Sequence, residues 1–219
     1  MTENHAATDA TAILSGARAI GVSLEPAAAE RLARYLAAML AANERVNLTA
    51  VRDPAAAVML HAVDSLAIAL AMPEAPKTVF DLGTGNGFPG VACAVLWPNA
   101  RVVLCDRTQK KLTAIATCLE IAGIAAETLW ADADQLPAQR KELRRSFELV
   151  CARAVGEAPS VARSAYPLLA RRARLALWTT ADERPPVKLA GGMSREQHVR
   201  YELGEPAARA RAISIWRCD

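Results

Sequence analysis

Residues 79–90 constrain the fold of this chain more than any other stretch. Their letters, VFDLGTGNGFPG, are a short apolar run that leads into alternating glycines at Gly83, Gly85 and Gly87. Glycine is needed where a backbone turns sharply and where a ligand approaches with no Cβ in its way. The N-terminus of a following helix favours a negatively charged or carboxylate-bearing ligand. The stretch therefore predicts a strand, a ligand-binding loop and a helix, in that order.

After residue 75 the sequence alternates between short apolar runs and helical runs. Strands are predicted at 78–82, 101–105, 126–130, 147–152, 175–179 and 212–216. Helices are predicted at 89–97, 109–122 and 157–170. Such alternation indicates βαβ units, and right-handed crossovers then place helices on both faces of the sheet. The fold class is therefore α/β, with a mainly parallel, doubly wound sheet.

The first third of the chain predicts helices without strands. Residues 1–22 predict a loosely ordered arm with one short helix. Ser23 is a candidate N-cap for an amphipathic helix that reaches about Asn43, and Pro54 begins the next helix. The predicted units are an N-terminal helical extension, residues 1–75, and an α/β domain, residues 76–219.

Composition excludes several classes of protein. A chain of 219 residues with 53% hydrophobic residues can bury a sizeable core, and a disordered protein would not have this composition. The net charge of +3 permits a nucleic-acid partner without requiring one. Five cysteines without a CxxC pair predict small buried apolar side chains, not disulfides or a metal site. We expect a cytoplasmic monomer with no signal peptide, membrane span or metal.

Two cofactors fit the glycine spacing. Gly-x-Gly-x-x-Gly ending at Gly90 satisfies the dinucleotide pattern, and Asp106 follows roughly 20 residues on, where an acid binds a ribose diol. Asp-x-Gly-x-Gly-x-Gly beginning at Asp81 is similar to the first motif of S-adenosylmethionine-dependent methyltransferases. A carboxylate at Asp81 can order the loop or meet the methionine amino group, and it would repel a pyrophosphate. The methyl donor is therefore favoured, with the dinucleotide and a plain tight turn as alternatives.

Three segments together resemble one family. They are NLTAVRDP at 47–54, HAVDSL at 61–66 and the glycine loop with its FPG ending. In this order and spacing they resemble the bacterial 16S ribosomal RNA (guanine-N7)-methyltransferase family, also called the glucose-inhibited division protein B family. The resemblance covers about 30–170. It implies a class I-like (Rossmann-like) S-adenosylmethionine-dependent methyltransferase fold over 76–219, and methylation of guanine N7 in the small ribosomal subunit.

The resemblance also implies site residues. Gly83 and Phe88 match family positions that contact the cofactor, Ala133 and Asp134 match the pair at the adenine, and Arg153 matches an arginine that closes the fourth strand. Together with the loop and ribose candidates, the predicted S-adenosylmethionine-binding residues are Asp81, Gly83, Gly85, Phe88, Asp106, Ala133, Asp134 and Arg153.

Substrate contacts are expected from the N-terminal helices. The candidate residues for binding 16S ribosomal RNA or the small subunit are Asn47, Thr49, Arg52, His61, Asp64 and Ser65. Arg171, Arg172 and Arg174 are expected in a turn, where they would contact phosphates or only solvent. Each candidate also has a structural interpretation, such as a helix cap or a surface hydrogen bond. Guanine N7 carries a lone pair and no proton, so no residue is predicted as a proton-transfer catalyst.

This chain departs from the family pattern in places. The pattern has a Lys-Gly pair after the fifth strand, where Trp178 stands, and an arginine where Asp132 stands. These changes leave the predicted cofactor site intact and affect the expected RNA contacts. Three alternatives therefore stay open: a diverged paralogue that methylates a small molecule, a ribosome-assembly module without turnover, and a dinucleotide-dependent oxidoreductase.

Overall fold

The computed structural model describes residues 2–219, with side chains from Asp9 onward, and Met1 lies outside the described residues. The strands are β1 (Thr78–Leu82), β2 (Arg101–Asp106), β3 (Glu127–Trp130), β4 (Phe147–Arg153), β5 (Leu169–Thr180), β6 (Ser194–Leu203) and β7 (Arg209–Arg217). Within 2–219 they form one seven-stranded sheet in the order β3-β2-β1-β4-β5-β7-β6.

Helices flank this sheet on both faces. They are α1 (Thr2–Ala19), α2 (Pro26–Val46), α3 (Pro54–Ala57), α4 (Asp64–Leu66), α5 (Ile68–Ala71), α6 (Gly90–Leu96), α7 (Gln109–Ala122), α8 (Leu136–Gln139) and α9 (Ala158–Ala165). A π-helical segment, Val58–Val63, joins α3 to α4.

The sheet is mainly parallel, as predicted. The pairs β1–β2, β1–β4, β2–β3 and β4–β5 are parallel. Strand β7 lies between β5 and β6 and is antiparallel to both. The C-terminal ends of the parallel strands therefore share one edge, which is where ligands bind in such sheets.

Three expectations about the second half of the chain are wrong. Strand β6 was not predicted, because its sequence SREQHVRYEL is largely polar, as an exposed edge strand tolerates. Helix α9 ends at Ala165 and strand β5 already begins at Leu169, so Arg171, Arg172 and Arg174 lie in a strand instead of a turn.

The prediction for the N-terminal arm is also wrong. Helix α1 covers 18 residues, in place of a loose arm with a short helix, because its apolar side packs against α2 and the π-helical segment. Ile13 and Ala17 are fully buried in this packing. Glu25 instead of Ser23 occupies the N-cap position of α2, without a side-chain capping hydrogen bond. Pro26 lies in the first turn of this helix, which extends to Val46.

The helical stretch 54–71 is interrupted by its π-helical segment. Asp53 caps its start, since its Oδ2 accepts a hydrogen bond from the Ala56 amide at 2.7 Å. π-Helical turns are rare and occur often at functional sites. By length and by its mean hydropathy of 1.6, the stretch could cross a membrane, but 67% of it is buried inside the fold. In this structure it is a core segment.

Two apolar layers cover the two faces of the sheet. One layer joins α1, α2, α6 and α7 to one face, and the other packs α8 and α9 against the opposite face, around Phe80 and Phe147. All five cysteines are buried as free thiols, as predicted. The division of the chain after residue 75 stays a prediction.

Candidate active site

The glycine loop is organised around the carboxylate of Asp81. This side chain is fully buried. Its Oδ2 accepts hydrogen bonds from the Thr84 hydroxyl at 2.6 Å and from the Gly90 amide at 2.8 Å. Burial raises the pKa of Asp81 to about 6, against the lowering effect of these hydrogen bonds. Asp81 therefore fastens the start of the loop to the start of α6.

Close packing explains two of the glycines. A Cβ at Gly87 (φ +95°) would lie 2.0 Å from the Tyr35 hydroxyl oxygen, and a Cβ at Gly90 would lie 2.2 Å from Cδ2 of Leu104. Tyr35, on α2, donates a hydrogen bond to the Asn86 carbonyl at 2.9 Å. The helical extension thus braces the loop, a contact that sequence reasoning did not find.

Gly85 leaves open space instead. It has φ +58°, and a Cβ there would meet no heavy atom closer than 3.8 Å. Its amide donates to Oδ2 of Asp106 at 3.0 Å, while Oδ1 of Asp106 accepts from the Thr108 amide at 2.8 Å. Each carboxylate oxygen keeps a further acceptor position. Asp106 can therefore order the loop and still bind a ribose diol.

A cavity of about 750 Å³ opens at this edge of the sheet. Such a volume lies within the range of small-molecule sites. Of the predicted cofactor residues, the cavity is lined by Gly83, Gly85, Phe88, Asp106, Ala133, Asp134 and Arg153. Of the predicted substrate residues, it is lined by His61 and Asp64. The lining does not include Asp81, Asn47, Thr49, Arg52 or Ser65.

The buried position of Asp81 corrects one argument. Its carboxylate is enclosed by the loop, so it can neither meet a methionine amino group nor repel a pyrophosphate directly. The choice between methyl donor and dinucleotide therefore rests on other observations.

Asp64 stands at the centre of the opposite wall. Its Oδ1 accepts from the Tyr201 hydroxyl at 2.7 Å and from Nε of Arg211 at 3.0 Å. Its Oδ2 accepts from Nη1 of Arg153 at 3.0 Å and from Nη2 of Arg211 at 3.3 Å. We call Asp64, Arg153, Tyr201 and Arg211 the Asp64 cluster.

Within the Asp64 cluster, the carboxylate of Asp64 holds arginine side chains in place and does not itself bind RNA. Burial alone would raise the pKa of Asp64, but the guanidinium of Arg153 and the hydrogen bond from Arg211 hold it below its usual range. The side chain of Asp64 is only 3% exposed and its oxygens are occupied. Asp64 therefore aims two arginines at the cavity, which both of them line.

Sequence reasoning missed the residues that come from the C-terminal hairpin. Arg209 and Arg211 of β7 line the cavity, and Tyr201 of β6 reaches Asp64. Trp178, noted only as a departure from a lysine, donates from Nε1 to the Asp64 carbonyl at 2.8 Å. The hairpin could have been found only with β6, whose polar pattern gives little signal.

The loop after β4 brings an apolar side chain to the cavity. Ala154 has a left-handed φ of +57°, and Val155 beside it is 42% exposed. A Cβ at Gly83 would lie 3.0 Å from Cγ1 of Val155. Val155 therefore covers Gly83 at the rim of the cavity.

His61 is held as a neutral ring. Its Nε2 lies 2.9 Å from the Thr49 hydroxyl, and its ring stacks on Phe88 with centroids 6.1 Å apart. Burial, together with the Arg153 charge, lowers the pKa of His61 to about 4. Ser65, beneath it, is fully buried and donates to the His61 carbonyl at 2.5 Å. Thr49 and Ser65 thus support His61 from behind the cavity wall.

Asn47 and Arg52 are exposed and lie outside the cavity. Asn47 ends α2 in a left-handed conformation. The break after α2 is held by Asn43, whose Oδ1 accepts from the Leu48 and Thr49 amides at 2.6 and 2.9 Å. Sequence reasoning did not single out Asn43 for this role.

Ala133 and Asp134, the pair predicted to hold the adenine, follow β3. The Asp134 amide donates to Oδ1 of Asp132 at 3.0 Å, and Oδ1 of Asp134 accepts from the Ser164 hydroxyl of α9. Both aspartates line the cavity. Among the side chains of residues 9–219 no group of three His, Cys, Asp or Glu could hold a metal ion.

Comparison with solved structures identifies the fold. The O-methyltransferase TomG from Streptomyces achromogenes, in complex with SAM, matches with a TM-score of 0.57 and 17% identity over 84% of this chain and 90% of its own. TrmN from Thermus thermophilus matches with a TM-score of 0.55 and 20% identity over 80% of this chain and 53% of its own. The fold is that of the class I S-adenosylmethionine-dependent methyltransferases.

Sequence comparison identifies the family within this class. The GidB family model, described as rRNA small subunit methyltransferase G, matches residues 28–183. Ribosomal RNA small subunit methyltransferase G of Roseiflexus sp. (strain RS-1) is 35% identical over 71% of this chain and 67% of its own length. The same-named protein of Sorangium cellulosum is 38% identical over 63% of this chain and 58% of its own length. The chain belongs to the GidB family.

Proposed function

We propose that this protein uses S-adenosylmethionine to methylate N7 of a guanine in 16S ribosomal RNA. The main support is the cavity, which has the glycine loop and Asp106 on one wall and arginines on the opposite wall. The chain's membership of the GidB family supports the same conclusion. A ribosomal substrate agrees with the cytoplasmic location predicted from the sequence.

The geometry of the cavity fits the proposed cofactor. Gly85 leaves its face of the loop open where a side chain would intrude. In the proposal Gly83, Gly85 and Phe88 contact S-adenosylmethionine, Asp106 binds its ribose hydroxyls, and Ala133 and Asp134 hold its adenine. Arg153 lies between the two walls and contacts the methionine end. Asp81 acts indirectly by fixing the loop.

The opposite wall would receive the nucleotide. His61 presents a neutral ring there, and Arg211 supplies a guanidinium suited to a phosphate. Thr49, Ser65 and Asp64 hold these side chains in place. Asn47 and Arg52, exposed outside the cavity, are proposed to contact RNA that flanks the target guanine.

The chemistry needs positioning more than proton transfer. When bound, S-adenosylmethionine supplies a sulfonium methyl group, and its transfer leaves the electron pair of the broken carbon–sulfur bond on sulfur. Guanine N7 has no proton to lose, so the protein has only to align acceptor and donor and exclude water.

N7 lies in the major groove of RNA, which is deep and narrow in a regular helix. The target guanine must therefore belong to a loop or distorted segment, or must leave its stack to enter the cavity.

The test is nucleoside mass spectrometry of small-subunit ribosomal RNA from cells with and without this gene. We expect deletion to remove one 7-methylguanosine, and wild-type protein to restore it. Gly85→Asp should fail to restore it, because a carboxylate beside Asp106 blocks the cofactor. Gly123→Asp is the matched control, since Gly123 has a similar φ of +64° and equally open surroundings. An unchanged 7-methylguanosine content on deletion would contradict the proposal and redirect the search to small-molecule acceptors.

A further inference from the structure

A second basic surface lies away from the cavity, where β5 and β6 begin and β7 ends. Arg174 of β5 and Ser194 of β6 both pair in register with Arg217 of β7. A groove of about 460 Å³ at this place is lined by Arg171, Arg172, Ser194, Arg195, Glu196, Arg217, Cys218 and Asp219. Four arginines line the groove, and Arg174 lies beside it, paired with the lining residue Glu196. We call these five, Arg171, Arg172, Arg174, Arg195 and Arg217, the far-edge arginines.

Positive charge is concentrated at this surface. Arg174 pairs with Glu196 at 2.8 Å, and Arg217 lies 3.7 Å from the same carboxylate. Among residues 2–219, Arg171 and Arg172 have no ion-pair partner, and both are exposed. The groove lining contributes two acidic side chains, Glu196 and Asp219. The local excess of three charges equals the net charge of the entire chain.

The backbone pushes two of these side chains outward. Phe147 of β4 faces Leu169 of β5, and Leu149 faces Arg174. Strand β5 therefore has three more residues than β4 over this interval, which forms a bulge. Arg171 and Arg172 lie in the bulge, and Arg172 has a left-handed φ of +59°.

The far-edge arginines cannot contact a nucleotide in the cavity. Arg211, which lines the cavity, and Arg217 are on the same strand, six residues apart. At about 3.4 Å per residue that separation is about 20 Å. Any phosphate contact made by Arg171, Arg172 and Arg174 must therefore lie outside the target nucleotide.

We propose that the far-edge arginines bind phosphates of the RNA substrate outside the target nucleotide, an inference that rests on the proposed function. The groove contains arginines and no lysine, and the planar guanidinium is suited to bidentate phosphate contacts. Two separated basic surfaces fix how the RNA lies across the protein. Phosphate contacts of this kind position an RNA without reading its sequence.

The experiment compares Arg171→Gln/Arg172→Gln with the wild type. These side chains have no ion pair to lose, and Arg18→Gln/Arg45→Gln, on exposed helix positions, is the matched control for charge. Binding of a protein-free 16S RNA fragment is measured across salt concentrations. We expect the slope of log affinity against log salt to become shallower by about 1.4 to 1.8, as two lost phosphate contacts predict. KM for RNA should rise while kcat and cofactor affinity stay unchanged.

Other outcomes would overturn the inference. The inference is overturned if the double variant keeps the salt slope and RNA affinity of the wild type. The proposed function would still stand in that case, provided that the wild-type protein methylates the RNA. A loss confined to the assembled subunit, absent with protein-free RNA, would indicate a ribosomal protein as the partner instead. Conversely, the double variant could show a shallower salt slope while the wild-type protein transfers no methyl group. That result would support RNA binding by the far-edge arginines and refute the proposed function.

Discussion

In the glycine-loop wall of the cavity the hydrogen bonds around Asp81 join residues that are close in sequence, whereas the Asp64 cluster joins distant parts of the chain. Asp81, Thr84 and Gly90 bond to each other across at most nine residues. Asp64 reaches Arg153 across 89 residues and Arg211 across 147. The loop wall therefore depends on local backbone geometry, and the Asp64 cluster depends on the whole fold.

The two walls also differ in electrostatics. At the loop wall the buried carboxylate of Asp81 accepts hydrogen bonds from the neutral Thr84 hydroxyl and Gly90 amide, and burial raises its pKa. In the Asp64 cluster two guanidinium groups surround the carboxylate and keep it ionised. Removing one partner of a buried ion pair leaves a charge without compensation. The comparison predicts that single substitutions cost more stability in the cluster than in the loop.

The largest effect is expected from Asp64→Ala. Both guanidinium groups would lose their counter-charge, so the free energy of unfolding should fall by about 3–5 kcal/mol in denaturant titration. Asp53→Ala is the control, because Asp53 is exposed and caps one short helix, a contact worth about 1 kcal/mol. Equal losses in the two variants would contradict the role given to the cluster.

The next largest effect is a loss of stability at acidic pH that depends on His61. The pKa of the folded protein's His61, about 4, lies below its ordinary value of 6.5, so the folded state binds this proton less tightly than the unfolded chain. Stability should be complete above pH 6.5 and fall as the pH drops toward 4. The free energy of unfolding of His61→Gln and of the wild type is measured in urea at several pH values. The variant should lack the part of the stability loss between pH 6.5 and 4 that comes from His61. Parallel pH profiles would show that His61 titrates normally.

A smaller loss of stability is expected from Asp81→Ala. It leaves the Gly90 amide and the Thr84 hydroxyl without an acceptor, at a cost of about 1–3 kcal/mol. Because the loop loosens, S-adenosylmethionine affinity measured by calorimetry should fall more in this variant than in Asp64→Ala. The reverse ranking would mean that Asp81 does not organise the cofactor loop.

Tyr201→Phe should give the smallest effect. Asp64 keeps its hydrogen bonds from both arginines, so the lost hydroxyl should cost about 0.5–1.5 kcal/mol in thermal or chemical unfolding. A loss as large as that of Asp64→Ala would indicate that the hydroxyl, and not the charge pairing, holds the cluster together.

The same contrast explains what the sequence could predict. Turn chemistry is local, so the glycine loop, Asp106 and strands β1 to β4 could be predicted closely from the residues themselves. Asp64 and Arg153 could be named as candidates, but their contact could not, because it depends on how two distant elements pack. Arg211 and Tyr201 depend in addition on the antiparallel pairing of β6 with β7, and the polar edge strand β6 carries little signal of its own.

In the proposed function the two walls bind different molecules, with the methyl donor on the glycine loop and the RNA on the arginine-bearing side. The direct measurement is the affinity of two variants, Gly85→Asp and Arg211→Gln, for S-adenosylmethionine and separately for 16S RNA. We predict that Gly85→Asp loses the cofactor and keeps RNA affinity, while Arg211→Gln keeps the cofactor and binds RNA more weakly. The claim would be contradicted if Gly85→Asp bound the cofactor normally, or if Arg211→Gln weakened the cofactor as much as the RNA.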